Sequence, residues 1–263
     1  MESFNKYIDV NSKNWLESAL LDLKKDGVIV LRGIERKANL EKINEKVDYI
    51  LKNPSVLGSI GYFQKDHNKK IYDGFLLGKE VVDFVANKSV IKLIESYLED
   101  EIILNEMMLK NDLGNGTQYF PYHRHTGRDV EGPKDKAFGC GAILYLHDTE
   151  IGAFCYALKS HTLEIEENPE SNLSRHEKKE EIKKNLRRIN GNMGDLVIFD
   201  ERGFHGPEQP VKTPRTVILY GFQSKLLTSN KSRTGIPVVI SDLVNLDLHQ
   251  LNSIGVGGGT RSE

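Results

Sequence analysis

The pattern of hydrophobic positions changes about one hundred residues into the chain, from helical spacing to short alternating runs. Near the start, Leu16, Leu20 and Leu23 recur at the helical period until Asp26 and Gly27 interrupt it. This spacing predicts a helix that ends at the Asp-Gly pair. The run VIVLRGI over 28–34 is short and β-branched, which predicts a buried strand.

Helical spacing then returns in two further segments. The apolar positions that carry it are Leu40, Ile43, Val47 and Ile50 in the first segment, and Val90, Ile94 and Tyr97 in the second, with an Asn53-Pro54 break between them. The pattern predicts that residues 1–100 are mostly helical.

From residue 102 onward, short apolar runs are separated by turn residues. They are IILNEMMLK, FGCGAILYLHD, GAFCYAL, GDLVIFD and RTVILYGFQ. Because regular helices do not alternate with these strands, a doubly wound parallel sheet is disfavoured. The sequence predicts a mainly β core over 101–240, a barrel or jelly-roll with helices packed outside it.

One helical insertion is expected within this core, at about 170–190. Ser174 and Glu177 have the spacing of a capping box, and Ile182, Leu186 and Ile189 form a thin apolar stripe. The Gly-rich, polar end of the chain, residues 255–263, is interpreted as a flexible tail.

Composition narrows the class of protein without identifying a partner. The 263 residues, 38% hydrophobic and 28% charged, fit one large domain or two small ones, and we expect a single domain over 1–263. A formal net charge of −2 indicates no nucleic-acid or membrane partner. Two cysteines, no apolar stretch of about 20 residues and no signal-peptide pattern predict a cytoplasmic protein. The sequence carries no indication of oligomeric state.

The histidines indicate metal chemistry. His123 and His125 lie two apart in YHRHTGRD, and on a strand such residues point to the same face. His205 follows the strong strand of GDLVIFDERGFHGP, where a side chain can turn into a barrel mouth. Three ligands on one side of an ion leave positions open for substrate and dioxygen, as in the iron(II) oxygenases with two histidines and one carboxylate. Zinc or copper sites and surface histidines use the same residues.

An arginine could complete such a site. Arg215 comes ten residues after His205, on a predicted strand that could aim its guanidinium into the same cavity. Guanidinium binds carboxylate through two parallel hydrogen bonds, so Arg215 would suit a dicarboxylate such as 2-oxoglutarate. The alternative is a surface salt bridge.

These segments resemble the phytanoyl-CoA dioxygenase-like branch of the iron(II)/2-oxoglutarate oxygenases. The resemblance spans most of the chain and is carried by LKKDGVIVLRGI, YHRHTGRD, ILYLHDTEIGAFCYALKSH and GDLVIFDERGFHGPEQPVKTPRTVILYGF. It implies a double-stranded β-helix fold, iron(II), 2-oxoglutarate as co-substrate, and hydroxylation of a small or medium organic molecule with dioxygen. By position it implies that His123 and His205 bind the metal and that Arg215 holds the 2-oxoglutarate carboxylate.

The sequence departs from that family at one ligand, because His125 stands where the family has a metal-binding aspartate. Exchanging a carboxylate for a neutral imidazole makes the site more positive by one charge. Three alternatives follow: a three-histidine iron site, Asp129 as the anionic ligand, or a site that has lost its chemistry. Two other functions therefore stay open, a binding or regulatory protein and a three-histidine dioxygenase that does not use 2-oxoglutarate.

Overall fold

Strands of two facing sheets make up most of the chain after residue 100. The computed structural model describes residues 1–57, 62–65, 68–72, 74–116, 121–126, 136–164, 171–227 and 240–256. The strands are β1 (Glu2–Phe4), β2 (Ile8–Asp9), β3 (Val28–Arg32), β4 (Tyr62–Gln64), β5 (Asn68–Ile71), β6 (Ile102–Asp112), β7 (Gly139–Tyr145), β8 (Thr149–Ala157), β9 (Leu186–Gly191), β10 (Leu196–Asp200), β11 (His205–Pro207) and β12 (Arg215–Ser224). The α-helices are α1 (Trp15–Asp26), α2 (Lys37–Lys52), α3 (Lys79–Val85), α4 (Lys88–Leu98), α5 (Lys179–Lys184) and α6 (Leu248–Ser253).

The larger sheet has the strand order β2-β3-β10-β7-β12-β6-β5-β4, and the smaller has the order β1-β9-β8-β11. All neighbouring strands of the large sheet are antiparallel except β2 and β3, which are parallel. In the small sheet, β1 is parallel to β9. Strands far apart in sequence are therefore neighbours in space, and non-local pairing holds the sheets together.

Two apolar layers lie on opposite faces of the large sheet. One fills the space between the sheets, where Tyr145 and Phe199 of the large sheet pack with Phe154 and Tyr156 of the small one. The other lies under the helices, where α4 contributes Ile91 and other apolar residues. Full burial of one such side chain contributes about 1.5–3 kcal/mol. The mainly β architecture with flanking helices is confirmed.

The ends of the first helix and strand agree with the sequence. Helix α1 ends at Asp26 because Gly27 adopts φ 79°, a left-handed conformation that glycine enters without steric cost. Strand β3 follows at once and pairs with β10. The first hundred residues also contain the β4–β5 hairpin, which the helical pattern did not predict.

The predicted helix at 170–190 is mostly wrong. Helix α5 is only six residues long. Leu186 and Ile189, which were assigned to the apolar stripe of the predicted helix, belong to strand β9, which lies between β8 and β1. Their spacing of three places them on one face of a helix, whereas in β9 they lie on opposite faces of the strand and pack in two different apolar clusters. Ser174 does not form a capping box with Glu177, because the Asn172 side chain accepts from the Ser174 N–H at 2.9 Å and caps a 3-10 helix.

Two expectations concern segments outside the described residues. Asp129 falls in 127–135, and most of the predicted tail falls in 257–263. Among the described residues, no helix is long and apolar enough to cross a membrane.

Candidate metal centre

Backbone hydrogen bonds bring the three candidate histidines together. His205 begins β11, and its N–H donates to the His123 carbonyl at 2.8 Å while the His123 N–H donates to the His205 carbonyl at 2.9 Å. The N–H of His125 donates to the carbonyl of Glu201 at 2.8 Å. His123 and His125 are therefore held against the chain that enters β11. The expectation that they lie on a strand is wrong, since the 121–126 segment has only two isolated bridges, from His123 to Asn172 and to His205.

The three imidazoles converge. Their ring centroids are 4.5 Å apart for His123 and His205, 5.4 Å for His125 and His205, and 5.5 Å for His123 and His125. One candidate ligand atom from each residue lies within 4.8 Å of the other two. Metal–nitrogen bonds are about 2.0–2.1 Å long, so small side-chain rotations would let one ion contact all three.

Each ring has an oxygen beside Nδ1. His205 Nδ1 is 2.8 Å from the Gly203 carbonyl, His123 Nδ1 is 3.3 Å from the Pro121 carbonyl, and His125 Nδ1 is 3.0 Å from Oε2 of Glu201. These acceptors favour the tautomer that carries its proton on Nδ1, with the lone pair on Nε2. The donor set therefore fits a divalent transition metal.

Burial keeps two of these rings neutral. It lowers the pKa of His205 well below the ordinary value for histidine, and the nearby His123 and His125 lower it further. Burial also lowers the pKa of His123 to about 4, and His125 contributes to that shift. Both imidazoles are uncharged at neutral pH, so their lone pairs are available to an ion.

Aromatic packing surrounds the buried histidine. The His205 ring lies 4.7 Å from the Phe199 ring and 5.8 Å from the Phe154 ring, measured between centroids. Phe199 fits because its partner in the sheet is Gly141, where a Cβ atom would lie 2.2 Å from the phenyl ring. This packing makes one side of the centre apolar.

A charged cluster lies on β6 and β12, which pair so that Arg215 is opposite Asp112. Nη2 of Arg215 is 2.7 Å from Oδ2 of Asp112, and Nζ of Lys110 is 3.3 Å from Oδ1 of the same carboxylate. Arg215 is only 4% exposed and Asp112 is fully buried. Burial lowers the pKa of Lys110 to about 8, although Asp112 opposes this shift. The Lys110 charge also contributes to the lowered pKa of His123.

The sequence named four candidate site residues, and the role of each one stays a prediction. The three histidines converge, and Arg215 is a buried residue rather than part of a surface salt bridge. Asp112, Lys110 and Glu201 were missed. The predicted run IILNEMMLK ends at Lys110, whereas β6 continues to Asp112, and the register that places Asp112 opposite Arg215 is not visible in the sequence.

Comparison with solved structures shows the fold. The epimerase SnoN in complex with Fe3+, alpha ketoglutarate and nogalamycin RO is 12% identical, with a TM-score of 0.62 over 80% of this chain and 83% of its own. EctD from S. alaskensis with 2-oxoglutarate and 5-hydroxyectoine is 14% identical, with a TM-score of 0.62 over 79% of this chain and 75% of its own. HygX from Streptomyces hygroscopicus with nickel and 2-oxoglutarate is 13% identical, with a TM-score of 0.57 over 80% of this chain and 88% of its own.

The chain shares the double-stranded β-helix fold of these proteins, and the predicted fold class is confirmed. No protein-family model and no curated protein matches the sequence.

Proposed function

We propose that this protein is an iron(II)- and 2-oxoglutarate-dependent oxygenase that acts on a small or medium organic molecule. The observation that carries the proposal is the convergence of His123, His125 and His205 within a double-stranded β-helix. Structural neighbours named with a metal and 2-oxoglutarate support the same choice of cofactor and co-substrate. Fold likeness alone is a weak warrant for activity, so the site residues carry the argument.

The histidines would hold the metal through Nε2, since each Nδ1 faces an oxygen. When bound, iron(II) supplies a Lewis acid and a centre for dioxygen chemistry. The protein's own contribution is to hold three imidazole donors on one side of the centre. Phe154 and Phe199 cover His205 with apolar surface and exclude water there.

The charged cluster would bind one carboxylate of 2-oxoglutarate. Arg215 and Lys110 bring two positive charges and Asp112 brings one negative charge, which leaves one positive charge. One carboxylate group would neutralise this remainder. Because all three side chains are shielded from solvent, the attraction is stronger than it would be on the surface.

Finer assignments follow from the sequence resemblance. We infer hydroxylation as the reaction, with dioxygen as a further substrate, and a phytanoyl-CoA dioxygenase-like protein as the branch. A single domain over 1–263 and a cytoplasmic location belong to the same proposal. His125 in place of aspartate is interpreted as a third imidazole ligand.

The direct test is anaerobic titration of the Fe(II)-loaded protein with 2-oxoglutarate, followed by admission of oxygen and measurement of succinate. We expect saturable binding and slow succinate formation even without the organic substrate. Protein that binds Fe(II) but neither binds nor decarboxylates 2-oxoglutarate would refute the proposal. Oxygen consumption driven by an organic substrate alone would favour a three-histidine dioxygenase instead.

Binding of 2-oxoglutarate should weaken as the pH rises through about 8, where Lys110 loses its proton in the free protein. A charged hydrogen bond contributes about 1.5–3 kcal/mol, or about 10- to 100-fold in affinity. We expect Lys110→Met to weaken binding by this factor at pH 7 and to flatten the profile between pH 7 and 9. Calorimetric titration across this pH range checks both results.

Lys69→Met is the matched control, because Lys69 lies on the neighbouring strand opposite Asn111 rather than opposite Lys110. It should keep the wild-type pH profile. A Lys110→Met variant with an unchanged profile would show that Lys110 does not contact the co-substrate.

A further inference from the structure

A buried carboxylate lies behind the histidine that departs from the expected ligand set. Glu201 directly follows β10 and is 3% exposed. Its Oε2 atom is 3.0 Å from Nδ1 of His125, and its carbonyl accepts the N–H of the same residue at 2.8 Å. Both the main chain and the side chain of Glu201 therefore face His125.

Two glycines make room for this carboxylate. A Cβ atom at Gly139 would lie 2.7 Å from Oε2 of Glu201, and one at Gly221 would lie 3.2 Å from Oε1. Gly139 is on β7 and Gly221 is on the neighbouring strand β12. A side chain at Gly139 would displace the carboxylate, and one at Gly221 would crowd it. The absence of side chains at Gly139 and Gly221 therefore leaves the space that the Glu201 carboxylate occupies.

Within the part of the chain that the structure describes, the Oε2 atom of Glu201 is buried without a hydrogen bond that would offset the cost of its burial. Among the described residues, no donor makes an aligned hydrogen bond to Oε2. The His125 ring is within hydrogen-bonding distance of this oxygen but is not aligned with it. Burying a carboxylate is costly unless it is hydrogen-bonded or paired, and the imidazole N–H beside it is the group placed to do this.

Glu201 does not belong to the group of candidate ligands itself. The residues whose ligand atoms lie within 4.8 Å of one another, in the part of the chain that the structure describes, are His123, His125 and His205. Glu201 would therefore act on a bound ion as the partner of His125 and not as a ligand.

We propose that Glu201 is the positioning residue of His125 and supplies, through the imidazole, the negative charge that an aspartate ligand would bring. A carboxylate that accepts the Nδ1 proton fixes the ring with Nε2 toward the ion and makes Nε2 a stronger donor. Three neutral imidazoles leave the full charge of a divalent ion uncompensated, and Glu201 offsets one unit of it. This inference rests on the proposed three-histidine centre.

The test compares the affinity of the whole protein for Co(II), used as a spectroscopic probe, between wild type and Glu201→Gln. Glutamine keeps the volume and removes the charge. We expect a 10- to 100-fold loss of affinity, the usual effect of removing an outer partner of a metal-bound histidine. Glu80→Gln is the control. Glu80 lies on helix α3 and pairs with Lys46 of helix α2, and its substitution should change Co(II) affinity less than about twofold.

A double-mutant cycle shows whether the effect passes through His125. In the His125→Ala background, Glu201→Gln should have almost no further effect on Co(II) affinity. An equal loss in both backgrounds would overturn the proposal, as would wild-type affinity in Glu201→Gln. If Glu201→Gln does not fold, Glu201→Asp replaces it as the test. Aspartate keeps the charge but holds it farther from His125, so the proposal then requires a loss of Co(II) affinity smaller than 10- to 100-fold.

Two spectroscopic readouts separate positioning from general support of the fold. With Zn(II) bound, nitrogen NMR should show the His125 ring proton on Nδ1 in wild type. The chemical shift of that nitrogen should change in Glu201→Gln. The iron reduction potential should rise in the variant, because a negative charge near the ion is lost. Wild type that binds no divalent ion would refute the metal centre itself. Normal binding with no response to Glu201→Gln would refute this inference alone.

Discussion

Arg215→Met is expected to weaken 2-oxoglutarate binding by about 100- to 1,000-fold, because truncation of a buried, hydrogen-bonded charge typically costs 2–5 kcal/mol or more. The substitution also changes the charge of the cluster. Lys110 and Asp112 remain and neutralise each other, so no net positive charge attracts the carboxylate. Anaerobic calorimetric titration with 2-oxoglutarate measures the effect.

The stability of this variant needs its own control. Breaking a buried ion pair costs about 3–5 kcal/mol when one charge is left alone. The loss should be smaller here, because Nζ of Lys110 stays 3.3 Å from Asp112. Arg215→Met combined with Asp112→Asn leaves Lys110 as the one charge of the cluster, so the net charge returns to +1 and we expect part of the lost affinity to return. Full wild-type affinity in the double variant would contradict the role given to Arg215, because it would show that net charge alone is enough.

His205→Ala is expected to weaken divalent-metal binding by more than about 100-fold, since loss of an outer-sphere partner alone costs 10- to 100-fold. Succinate formation should fall to background. His205 is the most buried of the three rings and exchanges two backbone hydrogen bonds with His123, so few alternative donors can take its place. Competition with a chromogenic chelator measures the affinity.

His249→Ala provides the matched control, because His249 is an exposed histidine on α6 that contacts Glu95. It should bind metal like wild type. His125→Asp then distinguishes the alternatives for the unusual ligand. A gain of iron binding and turnover that wild type lacks would favour a site that has lost its chemistry, whereas loss of existing activity would show that the imidazole is functional.

The parts of the fold that sequence predicted are those with local signals. Strand β10 is a short apolar run between turn residues, and Gly27 ends α1 at the place its sequence indicates. Strand β9 was mistaken for helix because its buried residues, Leu186 and Ile189, are three apart, which is helical spacing. Both are buried in the strand because apolar residues pack on both of its faces. Its pairing with β8 and β1 depends on residues far away in the chain, which periodicity does not report.

The same distinction applies to the site. His123, His125 and His205 became candidates because of their residue type and spacing, and the structure brings them together. Arg215 became a candidate because it follows ten residues after His205, and its role stays a prediction. Glu201 has no such signal, since its role depends on its approach to His125 and on two glycines of other strands. His123 and His125 were grouped on the expectation of a strand, and the described residues 121–126 bring them together without one.

The reciprocal hydrogen bonds between His123 and His205 have a consequence for the thermodynamics of loading. These hydrogen bonds join two segments that are separated along the chain by most of the strands of the β core. The chain entropy lost by bringing the two histidines together is therefore lost when the protein folds and not when the ion binds. An arriving ion meets a preorganised pair and has mainly side-chain rotations left to restrict. Its uptake should therefore leave the far-ultraviolet circular dichroism spectrum almost unchanged, unlike that of a zinc finger, which folds only around its ion.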